Sequence, residues 1–159
     1  MSGEPIVLSP GREADLRDVM TVMDGSFDPG FGEAWTIGQC AGLLPLSGVW
    51  LTLARDEEEV VGFALARLVA DEAELLLLAV KPSGQRRGTG RILLEHFEDE
   101  AVARGACRLH LEVREGNHAI SLSEQAGFGL VGRRRDYYSG QNGDRYDALT
   151  LAKSAGIPR

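Results

Sequence analysis

Residues 80–91, which read VKPSGQRRGTGR, decide the fold of this chain. They follow a nearly continuous apolar run at residues 74–80 (ELLLLAV), which has the length of a strand and the composition of one covered on both faces. They lead into an amphipathic pattern at residues 88–104, typical of a helix. The sequence therefore predicts a buried strand, then a loop rich in glycine and arginine, then a helix.

Two glycines at the start of this helix, Gly88 and Gly90, suit the loop to an anion. Without side chains there, successive N–H groups can approach a ligand closely, and the helix dipole adds positive potential. Arg86, Arg87 and Arg91 add charge-assisted donors at the rim. The Gly-Lys-Ser/Thr ending of a Walker loop is absent, and the segment is not G-x-G-x-x-G. The loop therefore predicts a pyrophosphate site.

The other segments complete the order β-α-α-β-β-β-α-β-α-β-β. Strands are expected at residues 5–8, 49–54, 60–69, 74–80, 107–113, 129–134 and 146–152. Helices are expected at residues 12–27, 36–44, 88–104 and 117–126. The long crossover places strands 74–80 and 107–113 parallel in one mixed sheet. We expect an α/β (α+β) fold, a single domain over residues 1–159, with about seven strands and about four helices.

The composition indicates a globular protein and limits its partners. Of the 159 residues, 43% are hydrophobic and 26% are charged, and the net charge is −7. This charge disfavours nucleic acid, whose binding needs a basic face, but it permits a basic substrate. A moderately acidic net charge can also serve only to keep a protein soluble, so the charge alone does not indicate a substrate.

Three other features of the sequence predict a cytoplasmic protein without a membrane segment. The longest apolar stretch, residues 73–80, is far shorter than the ~20 residues of a membrane helix. The amino terminus lacks a basic and apolar leader. Cys40 and Cys107 have no companion at disulfide or metal-ligand spacing, so we expect buried free thiols and no metal.

The loop and its flanks resemble one known family. Residues 85–90 (QRRGTG), set between a strand and a helix, match the Gln/Arg-x-x-Gly-x-Gly signature with which the GNAT superfamily of N-acetyltransferases binds acetyl-coenzyme A. Residues 111–113 (LEV), Asn117 and residues 122–128 (LSEQAGF) are similar to the next strand, helix and Gly-Phe corner of that superfamily. The resemblance implies a GNAT-like fold and acetyl-coenzyme A as cosubstrate.

Within the superfamily, the second half of the chain resembles the branch that acetylates the amino-terminal alanine of a ribosomal protein. The matching segments are residues 111–114 (LEVR), 134–138 (RRDYY) and 147–148 (DA), and residues 28–35 lie where that branch has a substrate loop. The resemblance implies that the cofactor is held by Leu78, Ala79, Val80, Gln85, Arg86, Arg87, Gly88, Thr89, Gly90, Arg91 and Asn117.

Acetyl transfer to an amine requires that the amine lose a proton, because a peptide α-amino group has a pKa of ~7.7–8.0 and attacks only when neutral. The resemblance implies that Glu112 is the general base, acting directly or through a water. Strand alternation places Glu112 on the face opposite Leu111 and Val113. That placement fits a base and equally fits a solvent-facing strand residue.

The chain differs from the family at the residue expected to act as the acid that protonates the leaving thiolate. The family's Leu-Tyr-Glu triplet becomes residues 122–124 (LSE), so Ser123 stands in place of the tyrosine. The stretch between Asn117 and this triplet is also one residue short, which turns Asn117 by about 100° around the helix. A thiolate, with a thiol pKa near 8.5, leaves without strong help. Tyr137 and Tyr138 are alternative acids, or they pack and line the substrate cleft.

These features predict an N-acetyltransferase that moves the acetyl group of acetyl-coenzyme A directly onto a primary amine. The expected acceptor is the α-amine of a protein amino terminus. Two alternatives stay open at the level of the sequence. One is an acetyltransferase for a small amine, and the other is a catalytically weak domain that senses acetyl-coenzyme A.

Overall fold

The computed structural model describes residues 5–85 and 87–155 and has the predicted order of elements. Its strands are β1 (Val7–Pro10), β2 (Val49–Asp56), β3 (Glu59–Val69), β4 (Glu72–Val80), β5 (Arg108–Arg114), β6 (Gly129–Ser139) and β7 (Arg145–Ser154). Its helices are α1 (Leu16–Ser26), α2 (Ile37–Leu43), α3 (Thr89–Ala103) and α4 (Ala119–Gln125). Within the described residues, the α/β fold with seven strands and four helices is as the sequence predicts.

All seven strands belong to one sheet, in the order β1-β2-β3-β4-β5-β7-β6. Neighbouring strands are antiparallel except β4 and β5, which are parallel. Helix α3 makes the crossover between these two strands, as parallel pairing requires. The predicted parallel placement of residues 74–80 and 107–113 is therefore confirmed.

The parallel pair of strands is joined along only half of its length. β4 and β5 pair from Glu72 opposite Arg108 to Leu75 opposite Leu111, and no further. At the same level, the pairing of β4 with β3 shifts by one residue and leaves Leu76 unpaired as a bulge. A bulge bends a strand and increases its twist. After Leu75, β4 therefore leaves its neighbour β5, and the sheet opens between the two strands.

Each face of the sheet carries its own hydrophobic core. On one face, α1 contributes Val19, Val22 and Met23, and these pack against Phe63 of β3. The core on the other face is built around α3 and includes Leu93, Leu94, Phe97, Leu109 and Leu111. Both helices present apolar residues spaced by three or four positions, so the helical period in the sequence decides which side meets the sheet. The cores fix the positions of β4 and β5.

The element boundaries depart from the prediction at both ends of the chain. The first helix begins at Leu16 rather than residue 12, because residues Glu13–Asp15 form a separate 3-10 turn. β6 and β7 extend further than residues 129–134 and 146–152. β6 lies at the sheet edge and is exposed along nearly all of its length, so no apolar alternation marks it in the sequence.

The two thiols are both free, but only one is buried. Cys40 of α2 lies in the core between the sheet and helices α1 and α2 (the α1–α2 core), and burial raises the pKa of its thiol. Cys107 is exposed, which corrects the expectation that both are buried. It stands one residue before β5, where its main chain accepts a hydrogen bond from Ala155 and donates one to Asp71.

No helix in the described part of the chain is long and apolar enough to span a membrane.

Candidate active site

The opening between β4 and β5 is a cleft of about 150 Å³. Residues of both strands line it, together with side chains from α3, α4, β6 and the connection between α1 and α2. The residues implied by the resemblance that lie in this cleft are Leu78, Glu112, Asn117, Ser123, Tyr137 and Tyr138. The fold therefore gathers predicted residues from distant parts of the sequence, from Leu78 to Tyr138, into one concave site.

The glycine-rich loop lies beside this cleft, at the start of α3. The first hydrogen bond of the helix joins the N–H of Ile92 to the carbonyl of Gly88, so the N–H groups before Ile92 point out of the helix end. Gly88 has a φ of +75°, a left-handed conformation that glycine adopts without steric cost. Gly90 packs closely, since a Cβ there would lie 3.3 Å from Leu122, which lines the cleft. Helix start and cleft are therefore adjacent.

Hydrogen bonds within the loop hold this arrangement. The Thr89 hydroxyl, which is buried, donates to the carbonyl of Gly84 at 2.7 Å. The Gln85 amide donates to the carbonyl of Val80 at 3.0 Å, and Ser26 donates to the same oxygen at 2.9 Å. The side chains of Gln85 and Thr89 thus make contacts that shape the loop. Main-chain N–H groups of the loop bind carbonyls within it, so the groups that face outward are those at the start of the helix.

The arginines of the loop have different surroundings. Arg87 forms an ion pair with Asp56 at the end of β2, with 2.6 Å between Nη1 and Oδ2. The side chain of Arg91 is 74% exposed and pairs with Glu95 one helical turn later. Arg86 lies outside the described residues. The pyrophosphate contacts expected of these three side chains stay predictions.

The three predicted residues at the end of β4 differ in exposure. Leu78 is partly buried and lines the cleft, where it is in reach of a ligand. Ala79 and Val80 are buried, and Ala79 packs in the α1–α2 core. Their side chains support the strand, so any contact of Ala79 with a cofactor would come from its main chain. The edge of β4 after Leu75 has no strand partner on the β5 side among the described residues.

Glu112 is held firmly in the cleft wall. Its side chain is 14% exposed, and its Oε2 accepts a hydrogen bond from the Thr150 hydroxyl at 3.1 Å. The same oxygen pairs with Arg134 Nε at 2.8 Å. The other oxygen, Oε1, has no hydrogen bond among those of the described residues. The carboxylate is thus oriented through one oxygen and keeps the other for a ligand.

The adjacent tyrosines Tyr137 and Tyr138 both line the cleft, with their rings edge to face at 5.0 Å between centroids. Burial raises the pKa of the Tyr138 phenol, and the carboxylates of Glu33 and Glu112 raise it further. A phenol with a raised pKa keeps its proton at neutral pH and acts as a hydrogen-bond donor. Tyr138 therefore brings a protonated hydroxyl to the cleft.

Ser123 lies in the same cleft, but its hydroxyl faces its own helix. Its Oγ donates to the carbonyl of Ala119 at 2.8 Å, and the residue is only 3% exposed. This is the i to i−4 bond that serine makes within helices. The position where the family has a tyrosine thus contributes a small, buried group here.

Asn117 connects the start of α4 to a residue that sequence reasoning did not single out, Glu33. Its Oδ1 accepts from the N–H of Ala119 at 2.8 Å, and its Nδ2 donates to Glu33 at 2.7 Å. Glu33 also pairs with Arg114 Nε at 3.2 Å, and the Glu33 side chain is only 9% exposed. Asn117 therefore uses both ends of its amide within the protein, and its contact with a cofactor stays a prediction.

Arg114 completes this connection between the loop and the sheet. Its guanidinium lies 3.7 Å from the ring centre of Phe31, and Phe31 packs edge to face against Tyr146 at 5.2 Å. The segment with Phe31 and Glu33 is thereby fixed over one side of the cleft. A lone acidic residue in a glycine-rich loop is usually exposed to solvent, so no local pattern in the sequence indicates the role of Glu33.

Among residues 5–85 and 87–155, no group of three or more His, Cys, Asp or Glu side chains is placed to hold a metal.

Comparisons with known proteins agree with this geometry. The profile of the acetyltransferase (GNAT) family matches residues 19–128. The ribosomal protein bS18-alanine N-acetyltransferase of Salmonella typhimurium is 45% identical over 97 residues, which are 60% of this chain and 65% of that enzyme. The chain thus matches a little under two thirds of that relative's length. The corresponding enzyme of Haemophilus ducreyi is 33% identical over 133 residues, 77% of this chain and 92% of that protein.

The similarity extends to a solved structure. The ribosomal-protein-S18-alanine N-acetyltransferase from Escherichia coli superposes with a TM-score of 0.85 and 32% identity, over 97% of this chain and 96% of that one. The family profile covers the segment from α1 to the Gly-Phe corner, which includes the whole glycine-rich loop and both strands of the cleft. The chain therefore belongs to the acetyltransferase (GNAT) family.

Proposed function

We propose that this protein is an N-acetyltransferase that moves the acetyl group of acetyl-coenzyme A directly onto the α-amine of a protein amino terminus. The observation that carries the proposal is the cleft between β4 and β5, which has Glu112 in its wall and the helix start at Gly88 beside it. A base for the amine and an anion site for the cofactor are thereby adjacent.

The helix start is suited to the pyrophosphate of acetyl-coenzyme A. The N–H groups before Ile92 point outward, and the positive end of the helix dipole lies among them. The edge of β4 after Leu75, which no strand pairs in the described part of the chain, presents main-chain groups to the amides of the pantetheine arm. Leu78 lies on the same stretch and lines the cleft. The cofactor can thus run from the helix start into the cleft.

Glu112 is the proposed general base. Its Oε2 is fixed by Thr150 and Arg134, so Oε1 is the oxygen that takes the proton of the incoming ammonium, directly or through one water. The neutral amine then attacks the thioester carbon, a C–N bond forms, and the C–S bond breaks. The nitrogen loses its second proton to the departing thiolate, and Glu112 returns the first proton to solvent. The products are the N-acetylated amine and coenzyme A. A positioned base contributes about 10²–10⁴ in rate.

Tyr138 is the proposed hydrogen-bond donor to the departing thiolate. The Ser123 hydroxyl is bound to Ala119 inside α4, whereas the Tyr138 phenol lies in the cleft and stays protonated. Because a thiolate is a stable anion near neutral pH, a hydrogen bond from the phenol is sufficient help. The presence of this donor favours an enzyme over the alternative of a weak acetyl-coenzyme A sensor.

The proposed acceptor comes from the relatives. The relatives in Salmonella typhimurium and Haemophilus ducreyi are both named as ribosomal protein bS18-alanine N-acetyltransferases. The net charge of −7 is compatible with a basic peptide as acceptor. The cytoplasmic location expected from the sequence stays a prediction.

The test is a coenzyme A release assay combined with mass spectrometry. The acceptors are a peptide with the amino-terminal sequence of the host's bS18, the same peptide already acetylated at its amino terminus, and a set of polyamines and amino acids. We expect release only with the unmodified peptide, together with a mass gain at its α-amine. Release with a small amine alone would support the small-amine alternative. Binding of acetyl-coenzyme A without turnover on any acceptor would support the sensor.

A further inference from the structure

We propose that Asp147 of β7 is a positioning residue that holds Tyr137 and Tyr138 in the cleft by fixing a bulge in β6. The proposal rests on the proposed function for its kinetic consequence, because Tyr138 is the hydrogen-bond donor to the thiolate there. The structural part of the proposal, that Asp147 fixes the bulge, does not depend on the proposed function, because it follows from contacts within the protein.

The two tyrosines cannot both face the cleft from a regular strand. Successive side chains of a strand point to opposite faces of the sheet. Tyr137 and Tyr138 nevertheless line the same cleft, and their ring centres are only 5.0 Å apart. The main chain before them must therefore depart from regular strand geometry.

The pairing of β6 with β7 shows this departure. Arg134 is opposite Ala148, and Tyr138 is opposite Tyr146. Between these two pairs, three residues of β6 face a single residue of β7, which is Asp147. Asp136, in the middle of the bulge, has a φ of +52°. This left-handed conformation is uncommon outside glycine, and aspartate is among the few residues that adopt it, so a contact that fixes the main chain here stabilises the bulge.

Asp147 supplies the contact that holds the bulge. Its Oδ1 accepts a hydrogen bond from the main-chain N–H of Asp136 at 2.9 Å, in place of a bond to the opposite strand. Its Oδ2 lies 2.7 Å from Arg133 Nη1, at the near end of the bulge. One carboxylate therefore bridges Asp136, inside the bulge, and Arg133, in the paired ladder just before it.

Arg133 has a second carboxylate partner, which provides a matched control. Both of its terminal nitrogens bind Glu115, each at 2.9 Å. Glu115 contacts Arg133 as Asp147 does, but only Asp147 also binds the N–H of Asp136. Removal of the Glu115 carboxylate therefore tests the loss of charge near Arg133 without opening the bulge.

The kinetic experiment compares Asp147→Ala, Asp147→Asn and Glu115→Ala. We expect Asp147→Ala to lower kcat about tenfold, with an unchanged KM for acetyl-coenzyme A, because small displacements of a reacting group are costly. Asp147→Asn keeps an Oδ1 acceptor and should restore kcat to within about threefold of the wild type. Glu115→Ala should match the wild type. Equal losses in Asp147→Ala and Glu115→Ala, or no recovery in a folded Asp147→Asn protein, would overturn the proposal.

A double-mutant cycle shows whether Asp147 acts through the tyrosine. In a Tyr138→Phe background, Asp147→Ala should lower kcat by less than about twofold, because the donor that it positions is already absent. A tenfold loss that persists in this background would mean that Asp147 acts on something else, and the proposal would be wrong.

An NMR measurement on the wild-type protein keeps the structural part testable without activity. We expect slow hydrogen exchange at the Asp136 amide and nuclear Overhauser contacts between the Tyr137 and Tyr138 rings. Both signals should persist in Asp147→Asn. If the wild type transfers no acetyl group, the proposed function fails while these signals still decide the role of Asp147. Fast exchange at Asp136 in the folded wild type would refute that role directly.

Discussion

The hydroxyl of Ser123 donates to the carbonyl oxygen of Ala119, one turn earlier in the same helix, at 2.8 Å. The hydrogen that a general acid would give to the leaving thiolate is therefore directed away from the cleft. Serine is also shorter than the tyrosine that the family resemblance expects there. The position keeps its place in the fold of α4 but offers no acid.

Ser123→Ala should therefore leave turnover within about twofold of the wild type. Loss of one hydrogen bond within a helix costs only about 0.5–1.5 kcal/mol of stability. Steady-state kinetics with acetyl-coenzyme A and the bS18 peptide would measure the turnover, and thermal unfolding would measure the stability.

The matched variant is Tyr138→Phe, which removes a phenol from the same cleft. We expect its kcat to fall by about 10²-fold, at the low end of the range for an acid. A large loss of kcat in Ser123→Ala, with little change in Tyr138→Phe, would return the acid role to Ser123.

The parts of the fold that could be read from the sequence are those with local signals. The apolar run of β4, the glycines before α3 and the helical stripe of α3 are each contained in a short segment. The parallel pairing of β4 and β5 follows from the length of the crossover between them. Chain geometry therefore predicted that the strand of Glu112 lies beside β4, whereas the role of Glu112 as the base is implied by the family resemblance and stays a prediction.

The parts that could not be read depend on contacts between distant segments. Glu33 acquires its role from Asn117, 84 positions away, and from Arg114. Asp147 acquires its role from the bulge at Asp136, whose left-handed conformation no local pattern requires of an aspartate. Buried charge partners and bulges in an exposed edge strand have no periodicity, so sequence patterns do not reveal them.

Glu112→Gln should lower kcat/KM by about 10²–10⁴ near neutral pH, because it removes the base and keeps the shape of the side chain. The loss should shrink above about pH 8, where a peptide α-amine is neutral without help. Affinity for acetyl-coenzyme A should be unchanged. A pH–rate profile and calorimetry of cofactor binding measure the two effects.

Glu72→Gln is the control for this variant. Glu72 is also a strand carboxylate, but its side chain is 53% exposed and lies outside the cleft. It should show wild-type kinetics at every pH. A Glu112→Gln profile that coincides with the wild-type profile would mean that another group accepts the proton.

Gly88 offers a test of the anion site that separates charge from shape. Asp and Asn both tolerate the left-handed φ of +75°, and a Cβ at this position has no neighbour within 4 Å. Gly88→Asp should bind acetyl-coenzyme A roughly 10- to 100-fold more weakly than Gly88→Asn, because two unit charges about 6 Å apart repel by a few kcal/mol at an effective dielectric constant of ~20. Calorimetry would measure both. Equal affinities would show that the pyrophosphate lies elsewhere.

Tyr138 should make the folded protein sensitive to alkali. Burial, and then Glu33 and Glu112, raise its pKa above the ordinary value of 10.0. Below pH 10 both the folded and the unfolded chain keep this proton, so its contribution to stability is fully present there. As the pH rises further, the unfolded chain loses the proton first, and the contribution is lost progressively toward the raised folded pKa.

Urea unfolding between pH 9 and about pH 12 would measure this loss, with Tyr138→Phe as the comparison. The Phe variant has no proton to lose, so its free energy of unfolding should fall less steeply above pH 10 than that of the wild type. Absorbance titration of the folded proteins should show a late tyrosinate step that the variant lacks. Parallel unfolding curves and identical titrations would mean that Tyr138 is solvated, and that the cleft does not hold its proton as the proposed mechanism requires.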